Sequence, residues 1–183
     1  MAAAPDWSRL PPPVDDGGAR HLDGAAVPSI PLPGTHGQAV DLSRLRGTTV
    51  VYAYPMTSRP DRPVPGGWDM IPGARGCTPQ SCAFRDGYAE LRGLGVDHLF
   101  GLSTQDTAWQ AEAAARLHLS FPLLSDAALG LTLAMRLPTM EVEGMTLLRR
   151  LTLVIAGGRI LRVFSPVFPP DRSAADVIAW LRG

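Results

Sequence analysis

Cysteine is scarce in this chain: 183 residues hold two, Cys77 and Cys82. There is no second pair, the spacing is C-x4-C in place of the usual C-x2-C, and His21, His36, His98 and His118 form no close cluster, which argues against a zinc site. An excess of either charge is missing as well. Seventeen basic residues balance 17 acidic ones, leaving no net field to draw nucleic acid or an anionic membrane, and neither partner is expected. No apolar run approaches the roughly 20 residues that span a bilayer. The N-terminus M-A-A-A-P-D-W-S-R-L-P-P-P lacks the continuous apolar stretch of a secretory signal, so the expected location is the cytoplasm. No internal repeat is visible. In a reducing compartment, two cysteines at reactive spacing point to redox chemistry rather than a structural staple, the plain alternative being two small buried apolar side chains.

What is present is an ordinary globular composition, 45% hydrophobic and 19% charged, at a length that suits one compact domain. The organising stretch is Ile71 to Leu94, I-P-G-A-R-G-C-T-P-Q-S-C-A-F-R-D-G-Y-A-E-L-R-G-L. Pro72, Gly73 and Gly76 hold the approach to Cys77 in a turn, and from Cys77 onward Ala83, Phe84, Tyr88, Leu91 and Leu94 recur at helical spacing. The pattern places Cys77 in the first turn of a helix, where Pro79 loses no hydrogen bond that the helix would otherwise make. Unpaired backbone N–H groups and the positive end of the helix dipole favour thiolate over thiol there, so a reactive cysteine is expected. Cys82 follows five residues on, a rise of about 7.5 Å along an α-helix. Bridged Cα atoms seldom lie more than roughly 6.8 Å apart, so a bond between the two sulfurs requires the first turn to unwind.

The rest of the chain reads as support. Residues 1–20, rich in Ala, Pro and Asp without periodicity, are expected to be a mobile arm, and 21–183 the domain proper. Val27 to Leu45 reads as short strands around a G-T-H-G turn, with His36 exposed in it. Thr48 to Tyr54, T-T-V-V-Y-A-Y, fits a buried central strand ending at Pro55. Met56 to Ala74, with four prolines, three glycines and Trp68, reads as a long ordered loop. A strand feeding a loop and then a cysteine-bearing helix is a thioredoxin-like arrangement. Val96 to Thr104 is the next strand, and Gln105 to Leu119 a helix with Trp109, Ala113 and Leu117 on one stripe. Ser125 and Asp126 read as the cap of a short helix over Ala127 to Met135. Thr146 to Val167 reads as a hairpin turning at Gly157-Gly158, and strand alternation turns Arg149 and Arg150 to opposite faces. Asp171 to Leu181 closes the chain as an amphipathic helix, with Ser173 as its expected cap.

The segment G-C-T-P-Q-S-C-A-F-R-D resembles the active-site segment of the Q-type peroxiredoxins, also called bacterioferritin comigratory proteins. In that family G-C-T-x-[EQ]-x-C-x-[FL]-R-D carries a peroxide-attacking cysteine and a resolving cysteine five residues later. F-P-L-L-S-D at Phe121 to Asp126 and R-L-T-L-V-I from Arg150, similar to the family's R-x-[ST]-F-[LV]-I, extend the resemblance over roughly residues 22 to 182. The resemblance implies a thioredoxin-like α/β fold, a central mixed β-sheet flanked by helices. It also implies Cys77 as peroxidatic cysteine, Cys82 as resolving cysteine and Arg150 as the arginine aimed at the peroxidatic sulfur, with Pro55, Gly76 and Thr78 about the substrate. The implied activity is thiol-dependent reduction of hydrogen peroxide or organic hydroperoxides through an intramolecular disulfide. Thioredoxin or a similar dithiol would recycle the enzyme, without metal or other cofactor, in a monomer or weak dimer.

One departure stands out. The family's P-x3-T-x2-C puts a threonine three residues before the cysteine, but here Ala74 occupies that place, and Pro55 lies 22 residues upstream instead of seven, an insertion of 15 residues. Thr57, close behind Pro55, is the candidate to replace that threonine as a substrate-binding group if the loop over residues 56–73 folds back, the alternative being a turn cap. Two other functions stay open on these residues. One is a thiol–disulfide oxidoreductase or redox sensor with weak peroxidase activity, and the other a non-catalytic binding module that presents the proline-rich loop.

Overall fold

The computed structural model describes residues 5–183. A small antiparallel pair, β1 (Pro31–Pro33) and β2 (Ala39–Asp41), is followed by β3 (Thr48–Ala53), a long loop, and α1 (Cys77–Asp86), which starts at the first cysteine. Gly87 interrupts the helical run, so the stretch to Leu94 is two helices, α1 and α2 (Tyr88–Gly93). There follow β4 (Val96–Ser103), α3 (Thr107–Arg116), β5 (Leu123–Ser125) and α4 (Gly130–Met135). The chain closes with β6 (Thr139–Val142), β7 (Met145–Leu148), β8 (Leu151–Ala156), β9 (Arg159–Phe164) and α5 (Ser173–Arg182).

Five strands form the central sheet in the order β5-β4-β3-β8-β9. β3, β4 and β5 are parallel, whereas β8 runs antiparallel to β3 and β9 to β8, so the sheet is mixed and flanked by helices as expected. The T-T-V-V-Y-A-Y run is buried on both faces because side chains alternate along a strand. Val51 and Ala53 join one core with Leu102, Leu124 and Leu153. Val50, Tyr52 and Tyr54 join the other with Phe84 of α1, Leu91 of α2 and Val177 of α5. Burying a side chain such as Phe84 contributes about 1.5–3 kcal/mol, which here anchors the cysteine helix to the sheet. Tyr52 stacks on Phe84 with ring centroids 4.4 Å apart. Gly101, opposite Tyr52 in the β3–β4 register, makes room for that ring, since a β-carbon there would lie 2.8 Å from it.

The structure departs from the sequence pattern in the second half of the chain. Met145 to Leu148 does not begin the long hairpin; it pairs with Thr139 to Val142 around a two-residue Glu143-Gly144 turn, both residues having positive φ. Arg149 and Arg150 therefore form the link between β7 and β8, not part of a strand, although Arg149 is exposed and Arg150 buried. Ser173 is not a cap. It is the first residue of α5, and its hydroxyl meets that of Thr152 at 3.0 Å in the interior. Asp126 does cap α4, accepting the N–H groups of Leu131 at 3.1 Å and Thr132 at 2.7 Å.

The loop between Pro55 and Ala74 has a small core of its own, in which Met56, Trp68 and Ala74 pack with Val142 and Leu147 of the β6–β7 hairpin. The Gly66 N–H donates to the Glu143 carboxylate at 2.9 Å, stapling loop to hairpin turn. Of the arm over residues 1–20, read above as mobile, residues 1–4 lie outside the described residues. From Pro5 onward it runs along the body: the Trp7 indole N–H donates to Asp171 at 2.8 Å, its ring meets Phe168 edge-on, and Asp16 pairs with Arg149. Among the described residues no helix is long and apolar enough to cross a membrane.

Candidate active site

Gly76 precedes α1 with φ of 110°, in the left-handed region that favours glycine. A β-carbon there would also fall 2.5 Å from Pro170 and 2.9 Å from the Trp7 ring, so the turn into the helix is closed over on two sides. Cys77 follows as the first helical residue, 4% exposed, its sulfur in long contact with the Ala74 carbonyl oxygen at 3.6 Å. The chain contains no lysine, so arginine is its one permanently charged side-chain cation. Arg150, 3% exposed, supplies that charge to the sulfur: its Nη2 lies 3.4 Å from Cys77 Sγ.

A buried guanidinium has to be held by hydrogen bonds. Nη2 faces the carbonyl oxygens of Gly73, Ala74 and Arg75, each at 3.2 Å, and Nη1 donates to Gln80 Oε1. Gln80 in turn donates from Nε2 to the Ser173 hydroxyl at 3.3 Å. These partners are all neutral. Among the described residues no carboxylate lies within ion-pair distance of Arg150, so its charge remains available to a thiolate. Burial pushes the Tyr52 and Tyr54 phenols up from their ordinary range, so the aromatic floor behind Cys77 stays neutral. A fixed cation and a helix N-terminus converge on one sulfur, a setting that stabilises negative charge on an oxygen brought to it.

A cavity of ≈ 370 Å³ opens over Cys77, with Met56, Ser58, Val64, Trp68, Thr78 and Pro79 in its wall. The expected site residues are only partly gathered here. Cys77, Gly76 and Thr78 line the cavity, and Arg150 reaches Cys77 from behind. Pro55 is buried at the end of β3 and does not line it. Thr57 is 1% exposed, and its hydroxyl donates to Gln105 Oε1 at 3.2 Å, an oxygen that also accepts the Thr57 N–H at 3.0 Å. Its neighbours Met56 and Ser58 face the cavity instead. Cys82 is half-buried on the same unbroken helix, and both thiols are free.

Sequence reasoning missed Gln80 and Ser58. Gln80 occupies the [EQ] slot of the motif, three residues after Cys77, but its partner lies 70 residues away, and no local spacing signals that pairing. Ser58 carried no signal beyond being a hydroxyl near Pro55.

The Redoxin family model matches residues 22–178. The chain is similar to peroxiredoxin Q, chloroplastic, of Oryza sativa subsp. japonica, 36% identical over 104 residues, 56% of this chain and 41% of that protein. It therefore spans about two fifths of the length of that relative. It is similar also to peroxiredoxin Bcp of Escherichia coli (strain K12), 36% identical over 104 residues, 56% of each chain. Among solved structures, peroxidoxin BcpB from Mycobacterium tuberculosis superposes with a TM-score of 0.70 at 28% identity, covering 88% of this chain and 96% of that one.

Proposed function

The chain belongs to the Redoxin family, and from that premise we propose that it is a thiol-dependent peroxidase in which Cys77 attacks a hydroperoxide, Cys82 resolves the product, and thioredoxin or a similar dithiol completes the cycle. The observation that carries this is the Arg150 Nη2 at 3.4 Å from the sulfur of a cysteine that opens a helix, with no carboxylate among the described residues to neutralise it.

The thiolate attacks the terminal oxygen of R–O–O–H, and the S–O bond forms as O–O breaks. Sulfur gives up two electrons and the peroxide takes them; the departing RO⁻ takes up the proton that the thiol released and leaves as water or an alcohol. Arg150 and the N–H groups at the start of α1 stabilise the charge as it moves onto oxygen. Cys82 then attacks the sulfenic acid sulfur, S–S forms, and hydroxide leaves with the Cys82 proton as water. Because the two cysteines are five residues apart on α1, this step requires the first turn to unwind. A dithiol donor closes the cycle by giving up two electrons and two protons to the disulfide. Gly76 and Thr78 border the substrate, Pro55 ends the strand behind it, and with the Thr57 hydroxyl on Gln105 the peroxide is left to Arg150, Thr78 and the backbone. The proposal takes residues 21–183 as one catalytic domain, the cytoplasm as compartment, and a monomer or weak dimer as assembly.

Hydrogen peroxide consumption coupled to thioredoxin, its reductase and NADPH tests the proposal, with turnover expected in the wild type and abolished in Cys77→Ser. The Thr57–Gln105 bond favours a second reading, a redox sensor or thiol–disulfide oxidoreductase with slow peroxide turnover. Disulfide reduction without peroxide consumption in the same assay would favour it.

A further inference from the structure

We propose that the cavity over Cys77 selects a bulky, uncharged, apolar hydroperoxide over hydrogen peroxide, and that Trp68, with Val64 and Met56, is the selecting wall. This rests on Cys77 being the peroxide-attacking group. The cavity of ≈ 370 Å³ is many times the roughly 30 Å³ that a water molecule occupies in the liquid, so hydrogen peroxide at the sulfur leaves most of it unfilled. The remaining wall includes an indole, a thioether and a branched aliphatic side chain, whose carbon surface offers an alkyl or aryl group apolar contact that hydrogen peroxide cannot use.

All three wall residues belong to the stretch between Pro55 and Ala74, where the family pattern has only a few residues. That stretch is held in place before any substrate arrives. Trp68 and Met56 are each 7% exposed and pack with Val142 and Leu147, and the Gly66–Glu143 bond fixes the loop to the hairpin. A pre-formed wall spends little binding energy on ordering itself. At the cavity edge Asp69 and Arg75 pair with each other, so no unpaired charge from these two favours an ionised substrate.

The test compares second-order rate constants for oxidation of Cys77 in the full-length protein by cumene hydroperoxide and by hydrogen peroxide. The wild type is expected to react faster with cumene hydroperoxide. In Trp68→Ala the ratio of the two constants is expected to fall about tenfold, the usual worth of a modest apolar contact in a specificity pocket. Val64→Asp, at a side chain 43% exposed and so of little risk to folding, is expected to move the ratio the same way. Intrinsic differences between the peroxides cancel when a variant's ratio is compared with that of the wild type. A wild type that prefers hydrogen peroxide, or a Val64→Asp ratio within twofold of wild type, overturns the inference and leaves the peroxidase standing. Failure of both peroxides to oxidise wild-type Cys77 sinks the peroxidase, and the inference with it.

Discussion

Replacing Arg150 by methionine removes the cation beside Cys77 while keeping a long side chain to fill its channel. Two unit charges 3.4 Å apart interact by about 5 kcal/mol at the effective dielectric constant of about 20 that suits protein sites. Water entering the gap recovers part of this, and the helix N-terminus, worth about 0.3–1 kcal/mol by itself, remains. A net loss of about 3 kcal/mol in the stabilisation of thiolate and departing oxygen corresponds to a slowing of Cys77 oxidation by roughly 150-fold. Stability should also fall, by about 1–3 kcal/mol, because the carbonyls of Gly73, Ala74 and Arg75 and the Gln80 side chain lose a shared donor. Arg150→Lys separates the two effects. It restores charge as a point without the planar fork, so a loss of about tenfold is expected, between wild type and methionine. Stopped-flow single-turnover oxidation gives the rates, and urea unfolding establishes that each variant is folded at the assay temperature. A folded Arg150→Met within threefold of wild type would refute the electrostatic role assigned to this residue.

Cys82→Ser should leave the first oxidation of Cys77 within about twofold of wild type, stop recycling by thioredoxin and let sulfinic acid accumulate at excess peroxide, read by intact-mass spectrometry; an unchanged mass distribution would deny Cys82 the resolving role. Thr57→Val should change the oxidation rate by less than about threefold while lowering stability by about 1 kcal/mol, the worth of one buried hydrogen bond, because its hydroxyl is engaged by Gln105. A hundredfold loss of rate in a folded protein would instead place the hydroxyl at the sulfur. Gly76→Ala should cost at least about 2 kcal/mol in urea unfolding, since the left-handed backbone alone costs about 1–2 kcal/mol for an L side chain and the new methyl would meet Pro170 and the Trp7 ring. A loss under about 0.5 kcal/mol would mean that the arm yields freely.

The start of α1 at Cys77 was legible in the sequence because it depends on neighbours: Gly76 allows the turn, Pro79 fits the first turn, and Phe84 and Leu91 mark a face, all within a few residues of one another. The two-faced burial of β3 and the Gly157-Gly158 turn were legible for the same reason. The inward course of Arg150 was anticipated by the resemblance, and the outward course of Arg149 by alternation along a strand, although the two residues turn out to be a link between β7 and β8. The β6–β7 hairpin went unread although its Glu143-Gly144 turn carried a local signal. Tertiary structure alone decided that Gln80 holds Arg150, that Gln105 takes the Thr57 hydroxyl, that Ser173 faces Thr152 instead of capping α5, and that Trp68 closes a cavity over Cys77. Helix starts, turns and alternation are set by contacts along the chain over a turn or two. Hydrogen-bond partners and cavity walls are set by which segments the β5-β4-β3-β8-β9 order brings side by side, and that order arises from packing between residues dozens of positions apart.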